Sequence, residues 1–175
     1  MVKLRITVAL FAVLSIPVGA AETKKADKPI IKKPFAPLES AKTMQVSKGF
    51  NVTLFAGEPD IKQPIGFCID DRGRLWVAEA NNYPDKKAGK NDRIIILEDT
   101  NGDGTHDKRI VFYDKLEYIC GIEVGFGGAW VMSLPNFYFI PDKNYDGVPD
   151  GEPVVLLDGF GTDNSGHNIA NGLAW

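Results

Sequence analysis

Asp99-Thr100-Asn101-Gly102-Asp103-Gly104-Thr105-His106-Asp107 returns later in the chain as Asp142-Lys143-Asn144-Tyr145-Asp146-Gly147-Val148-Pro149-Asp150. Both stretches read D-x-N-x-D-G-x-x-D. Side-chain oxygens at positions one, three and five, a glycine turn at six, a backbone carbonyl at seven and a further acid at nine form an oxygen-rich set suited to a hard cation such as Ca²⁺. The candidate ligands are therefore Asp99, Asn101, Asp103, Thr105 and Asp107 in one copy, and Asp142, Asn144, Asp146, Val148 and Asp150 in the other. The alternative is a pair of Asn/Asp/Gly turns that bind no metal. His106, inside the first copy, is expected to face water.

The flanks narrow the class of loop. An EF-hand needs helices on both sides and a Glu at position twelve, where this chain has Ile110 and Pro153. Instead, Arg93-Ile-Ile-Ile-Leu97 and Arg109-Ile-Val-Phe-Tyr113 bracket the first loop, and Phe137-Tyr-Phe-Ile140 and Val154-Val-Leu-Leu157 bracket the second. Runs of β-branched and aromatic residues bounded by turn residues read as strands, so each loop is expected to cap a β-hairpin.

Further strands extend this pattern into a repeat. Pro64-Ile-Gly66-Phe-Cys-Ile69 and Arg74-Leu-Trp76-Val-Ala78 flank the turn Asp70-Asp-Arg-Gly73; Gly121-Ile-Glu-Val-Gly-Phe126 and Ala129-Trp130-Val-Met132 form a second such pair. The unit reads strand, turn, Trp-bearing strand, linker, strand, acidic loop, strand. It runs from about residue 64 to 112 and again from about 119 to 157, with residues 168–175 resembling the opening strand of a third. Four antiparallel strands repeated at about fifty residues mark a β-propeller. The expected fold is all-β: a partial propeller of two four-stranded blades and the start of a third. A ring closes with roughly four to eight blades, so the chain reads as an N-terminal fragment. Residues 51–56 are expected to add one more strand, and Trp76 and Trp130 to pack between blades.

The termini and composition bound the setting. Met1 to Ala20 carries Lys3 and Arg5, an apolar run from Ile6 to Ile16, and the small-residue end Pro17-Val-Gly-Ala20. That is the pattern of a secretory signal, too short to span a bilayer. Residues 21–43, with Lys24-Lys25, Lys32-Lys33 and several prolines, read as an extended, mobile tether, and residues 44–175 as the propeller portion. The chain is expected to be exported to the periplasm or cell envelope, with membrane association left open. The formal charge is −3, and no basic stripe points to nucleic acid. An exported chain permits a Cys68–Cys120 disulfide, but both residues lie in expected strands, and two buried thiols are the alternative.

The runs Gly73-Arg-Leu-Trp-Val-Ala-Glu79, Asp92-Arg-Ile-Ile-Ile-Leu-Glu-Asp99, Gly121-Ile-Glu-Val-Gly-Phe-Gly-Gly128 and Leu156-Leu-Asp-Gly-Phe-Gly161 resemble the N-terminal propeller of a planctomycete and verrucomicrobial family of membrane-bound dehydrogenase-type, haem-binding CxxCH proteins. That propeller is similar in turn to the soluble glucose/sorbosone dehydrogenases, which use calcium and hold pyrroloquinoline quinone on the ring axis. The resemblance implies oxidation of a sugar or polyol and a cytochrome-type electron acceptor in a C-terminal part. No C-x-x-C-H occurs in these 175 residues, so covalent haem is not assigned to this chain. The resemblance also implies a general base: His167, in Gly166-His167-Asn-Ile-Ala-Asn-Gly172, stands where the quinoprotein dehydrogenases place a His before an inner strand. An imidazole suits proton removal near neutral pH. A ligand-binding or structural His is the alternative. Glu79, Asn81, Asn82 and Tyr83 are read either as lining the ring's mouth or as a solvated loop, and Glu123 as facing the channel or solvent. A non-enzymatic binding or adhesion propeller with integrin-type loops is the rival reading, and an inactive truncated fragment the third.

Overall fold

The computed structural model describes residues 34–84, 91–161, 170 and 172–175. Pro34 apart, these all belong to one unit, Phe35–Trp175. Eight strands form two sheets. The first is β1 (Pro64–Ile69), β2 (Leu75–Glu79), β3 (Asp92–Glu98) and β4 (Lys108–Leu116); the second is β5 (Ile119–Gly125), β6 (Gly128–Ser133), β7 (Asn136–Pro141) and β8 (Val154–Leu157). Within each sheet every strand pairs antiparallel with its neighbour in the chain, in the spatial orders β1-β2-β3-β4 and β5-β6-β7-β8. The all-β architecture and the two four-stranded meanders read from the sequence are therefore present.

Local chemistry sets the turns. Between β1 and β2, Gly73 takes φ +79°, and the Asp70 and Arg74 backbones close the turn through the Asp70 N–H on the Arg74 carbonyl at 3.1 Å. Between β5 and β6, Phe126 and Gly127 both have positive φ, +54° and +85°, which matches a two-residue hairpin turn to the right-handed twist of its strands.

The two sheets meet through β5, which lies against β1 and β2. Trp76, Ala78, Ile94, Ile96 and Phe112 of the first sheet pack there with Ile122, Ala129, Val131 and Ile140 of the second. The opposite face of the first sheet carries Val77, Ile95 and Leu97, covered by Phe55, Ala56 and Ile61. Cys120 and Met132 of the second sheet, with Tyr118 just before β5 and Leu134 just after β6, lie with Phe160, Ala170 and Leu173. Central strands are thus buried on both faces, which is why β3 is a continuous apolar run rather than an alternating one. On β1, Ile65, Phe67 and Ile69 remain exposed, as do all four residues of β8.

Four sequence expectations change here. Residues 51–56 carry no strand; they cross the far face of the first sheet, where Phe55 and Ala56 pack against the cluster of Val77, Ile95 and Leu97. The tether expected through residue 43 ends in a helix, α1 (Pro37–Thr43). Pro at its first position is pre-set for helical φ, Lys42 pairs with Glu39 one turn back at 2.9 Å, and Pro37 packs so closely on Gly57 that a side chain there would collide with it. Trp130 is only half-buried and packs against Phe139 and Trp175, with ring centroids 4.9 and 5.6 Å away. Residues 172–175 carry no strand, although they follow β5: the Trp175 indole N–H donates to the Val124 carbonyl at 3.4 Å.

Cys68 and Cys120 are both free and buried, the second alternative of the pair. Burial raises the Cys68 thiol to about 12 and the Cys120 thiol to about 11. Cys120 Sγ also donates to the Ala170 carbonyl at 2.8 Å. Among the described residues no helix is long and apolar enough to cross a membrane.

Candidate metal centre in the paired hairpin loops

Both acidic loops occupy the same place in their sheets. Residues 99–107 join β3 to β4, and residues 142–150 lie between β7 and β8. In the first, Asp99 accepts the N–H groups of Gly102 at 2.7 Å and Gly104 at 2.8 Å. In the second, Asp142 accepts those of Asp146 at 3.1 Å and Gly147 at 3.2 Å. The position-three amide oxygen takes the position-five N–H in both: Asn101 from Asp103 at 2.9 Å, and Asn144 from Asp146 at 3.2 Å. The position-five carboxylate takes the position-seven N–H, Asp103 from Thr105 at 2.9 Å and Asp146 from Val148 at 2.8 Å. Finally, the position-nine carboxylate reaches back to the position-two N–H, Asp107 to Thr100 at 3.1 Å and Asp150 to Lys143 at 2.6 Å. These are nested Asx turns.

Backbone conformation repeats as faithfully. The position-six glycines, Gly104 and Gly147, have φ +87° and +83°. Position four is also left-handed in both, Gly102 at +76° and Tyr145 at +57°. A tyrosine therefore holds a conformation that costs an L-residue roughly 1–2 kcal/mol. Its phenol is anchored by the Gly127 N–H at 2.8 Å.

The ten expected ligands thus gather into two turns of the same shape. Their carboxylates are directed at backbone N–H groups, and among the described residues no group of three or more acidic, His or Cys side chains is placed to hold a metal ion. The Asn101 and Asn144 side-chain oxygens are likewise directed at backbone N–H groups, and main-chain carbonyls are a further oxygen type that calcium accepts.

The surroundings of the loops differ. The Gly104 N–H, foremost among several backbone donors, holds the Asp99 carboxyl below the usual carboxylate range. Asp142 is shifted the other way: burial pushes it up, against the N–H groups of Gly147 and Asp146 and the charge of Arg74. The first loop leans on the 51–56 segment. There the His106 N–H donates to the Phe55 carbonyl at 3.1 Å, and His106 Nδ1 lies 2.8 Å from the same oxygen. His106 is accordingly not a water-facing side chain; it is 13% exposed, with Nε2 3.6 Å from Asp60.

Other expected site residues are taken up by structure. Glu79 is fully buried, paired with Arg93 and 3.9 Å from Arg109, and it accepts the Lys62 N–H at 2.6 Å. Asn82 is buried, its N–H on Asp92 at 2.7 Å. Asn81 lines an open cleft of about 690 Å³ with Glu58, Lys62, Gln63, Asn91 and Arg93. Tyr83 is partly exposed, and Glu123 is half-buried near Cys68. His167 lies outside the described residues.

Three features escaped the sequence reading. Asp70 binds Arg74 and the Trp76 indole, at 2.7 and 2.9 Å. Asp92 joins the sheets by accepting the Ile119 N–H at 2.8 Å. Arg72 reaches from the β1–β2 turn to the second loop, donating to the Tyr145 carbonyl at 2.8 Å. The D-x-R-G-R-x-W spacing around Asp70 was the one available signal.

The family model described as a domain of unknown function, DUF7133, matches residues 36–175. The chain belongs to this family. The match takes in α1, both sheets and both acidic loops. Neither a curated protein nor a solved structure matches the chain.

Proposed function

We propose that the chain forms two successive blades, and the approach to a third, of a calcium-stabilised β-propeller serving an exported, quinoprotein-like dehydrogenase of sugars or polyols. The observation that carries this reading is the repetition of one four-stranded meander with a D-x-N-x-D-G-x-x-D loop between its third and fourth strands. Packing of β5 on β1 supports it, since neighbouring blades meet through their first strands. So does the segment that follows: Gly172 lies against Gly121, where an added Cβ would come within 3.2 Å of the Gly172 nitrogen. Gly66-Phe-Cys-Ile69, Gly121-Ile-Glu-Val124 and Gly172-Leu-Ala-Trp175 are then three openings of one unit.

The donor set is all oxygen and fits calcium. Asp99, Asn101, Asp103, Asp107 and the Thr105 carbonyl would hold it in the first loop, and Asp142, Asn144, Asp146, Asp150 and the Val148 carbonyl in the second. A bound dication neutralises the crowded carboxylates and ties the hairpin end together. Pyrroloquinoline quinone, the sugar or polyol substrate and a cytochrome-type acceptor rest on the resemblance to the dehydrogenase-type propellers, which assigns His167 the proton of the substrate hydroxyl.

A binding propeller without catalysis is the second reading. It is favoured by Glu79, whose carboxylate is consumed by Arg93, Arg109 and a backbone N–H. One experiment separates the two: calcium uptake by equilibrium dialysis, together with quinone-dependent dye reduction on a panel of sugars, for wild type and His167→Asn, each within a closed ring of blades. The dehydrogenase reading expects a loss of roughly 10²-fold or more in the variant. Uptake of calcium with no dye reduction in either protein selects the binding propeller, and equal rates in both remove His167 from the chemistry.

A further inference from the structure

We propose that the cavity between β4 of the first sheet and the β6–β7 turn of the second is a binding site for a small, neutral polyhydroxy compound of the sugar or polyol class. The site is independent of the two acidic loops and of the proton transfer assigned to His167.

The cavity has a volume of about 300 Å³, at the lower end of small-molecule clefts. Tyr113 of β4 and Tyr138 of β7 stand in its wall, one from each sheet, and both pack against the core between the sheets. A tyrosine so placed keeps its apolar body in the core and its hydroxyl at the wet edge. Ser133 and Asn136, on either side of the β6–β7 turn, complete the polar wall, and Pro135 and Pro153 add apolar surface. None of these residues belongs to β1 or β5, the strands through which the sheets meet, so the cavity lies towards the outer strands.

The hydrogen-bonding capacity of this wall is only partly used. The Asn136 amide donates to the Tyr138 hydroxyl at 2.7 Å, which leaves the amide oxygen free to accept and the phenol free to donate. Ser133, 2% exposed, accepts the Tyr118 N–H at 3.4 Å. Among the described residues its own hydroxyl hydrogen meets no acceptor, and the Tyr113 hydroxyl has no hydrogen-bond partner. Burial, ahead of the nearby Glu152 and Tyr138, raises the Tyr113 pKa, so this phenol keeps its proton. Polar groups withdrawn from water cost free energy until they are paired. Three hydroxyls and an amide oxygen around one cavity are matched by a ligand whose own hydroxyls both donate and accept.

Charge narrows the class. The charged residues of the lining are Lys115 and Glu117, opposite in sign and exposed, so neither an anion nor a cation finds a wall of complementary sign. An apolar ligand would strand the hydroxyls and the amide. Neutral and hydroxyl-rich is the description that remains.

The test is titration of the full chain with glucose and with xylitol, followed by two-dimensional amide NMR, with glycine and gluconate as charged controls. Saturable shifts are expected at the amides of Tyr113, Ser133, Asn136 and Tyr138. Tyr113→Phe, which removes a hydroxyl that no protein group uses, should melt like wild type and weaken binding roughly five- to tenfold, the effect of one hydrogen bond. Lys115→Met should leave the affinity for glucose and xylitol unchanged. No saturable shift with either compound, shifts confined to other residues, or equal affinity in Tyr113→Phe and wild type would each overturn the site. Tighter binding of glycine or gluconate, lost in Lys115→Met, would overturn the ligand class. None of these readouts involves calcium or dye reduction, so failure here leaves the dehydrogenase reading to be judged by its own assay.

Discussion

Asp70 and Arg74 form an ion pair almost wholly withdrawn from water, with Nε 2.7 Å from Oδ2 and side chains 2% and 4% exposed. The same carboxylate accepts the N–H groups of Arg72 and Arg74 and the Trp76 indole. It therefore fixes the β1–β2 turn, the guanidinium beside the second loop, and the largest side chain of the sheet–sheet core. Removing one member of a buried pair strands the other charge, at a cost of about 3–5 kcal/mol. Asp70→Ala should lose stability of that order in urea unfolding; a loss under about 1 kcal/mol, the range of exposed pairs, would show that water reaches the pair.

The same carboxylate sets an acid limit. Burial would raise the Asp70 pKa, but the Trp76 indole, the Arg74 backbone N–H and the Arg74 guanidinium together bring it below its ordinary value. A group depressed in the folded state contributes stability that is complete above its unfolded pKa and is lost as pH falls through the folded one. The stability gap between wild type and Asp70→Asn should hold steady from neutrality to about pH 4 and shrink below it. Asp92 is raised, chiefly by burial and against the N–H groups of Asn82 and Ile119, so its linkage has the opposite sign. Its contribution weakens as pH rises through its folded value, and Asp92→Asn should remove that part of the slope. Urea titrations at a series of pH values measure both.

Ion removal should be visible in thermal unfolding. A ligand bound only by the folded state adds RT ln(1 + [L]/Kd), roughly 2.7 kcal/mol per site at a hundredfold excess over Kd. Chelator should lower the melting temperature, calcium should restore it, and magnesium at the same concentration should do so less well because its octahedral demand suits a flexible oxygen loop poorly. Scanning calorimetry in the three buffers gives the comparison.

Two glycines separate strain from packing. Gly147 and Gly159 both have φ +83°, but a Cβ at Gly147 meets Ile96 and Ile110 while one at Gly159 meets nothing within 4 Å. Gly159→Ala should cost roughly 1 kcal/mol of left-handed strain. Gly147→Ala should add about 1–3 kcal/mol of overpacking. Equal losses in urea unfolding would mean that the two isoleucines yield freely.

The sheets were legible because their signal is local. Val and Ile runs bounded by Asp, Asn and Gly placed all eight strands and both hairpin loops, and the glycine at position six announced its own backbone conformation. What stayed hidden depends on partners far along the chain. Glu79 is a core residue only because Arg93 and Arg109 arrive beside it, and His106 is covered only because residues 51–56 cross the loop. Nothing in Asp-Asp-Arg-Gly says that Arg72 will grip a carbonyl 73 residues away. The helix at 37–43 was readable from its leading proline and its Glu39–Lys42 pair, but the charge and proline content around it pointed to a tether.

Strand pairing only between chain neighbours has a kinetic consequence. Each hairpin closes a short loop, which is entropically cheap, and low sequence separation between contacts favours rapid folding. Each meander should therefore assemble as its own cooperative unit, with the Trp76–Ile122 side of the interface docking afterwards. Pulse-labelled hydrogen exchange should show amides of β2 and β3 protected together and those of β6 and β7 protected together. Mutations at Ala129 or Val131 that weaken the sheet–sheet core should then mainly speed unfolding, leaving the folding rate of the first meander nearly unchanged.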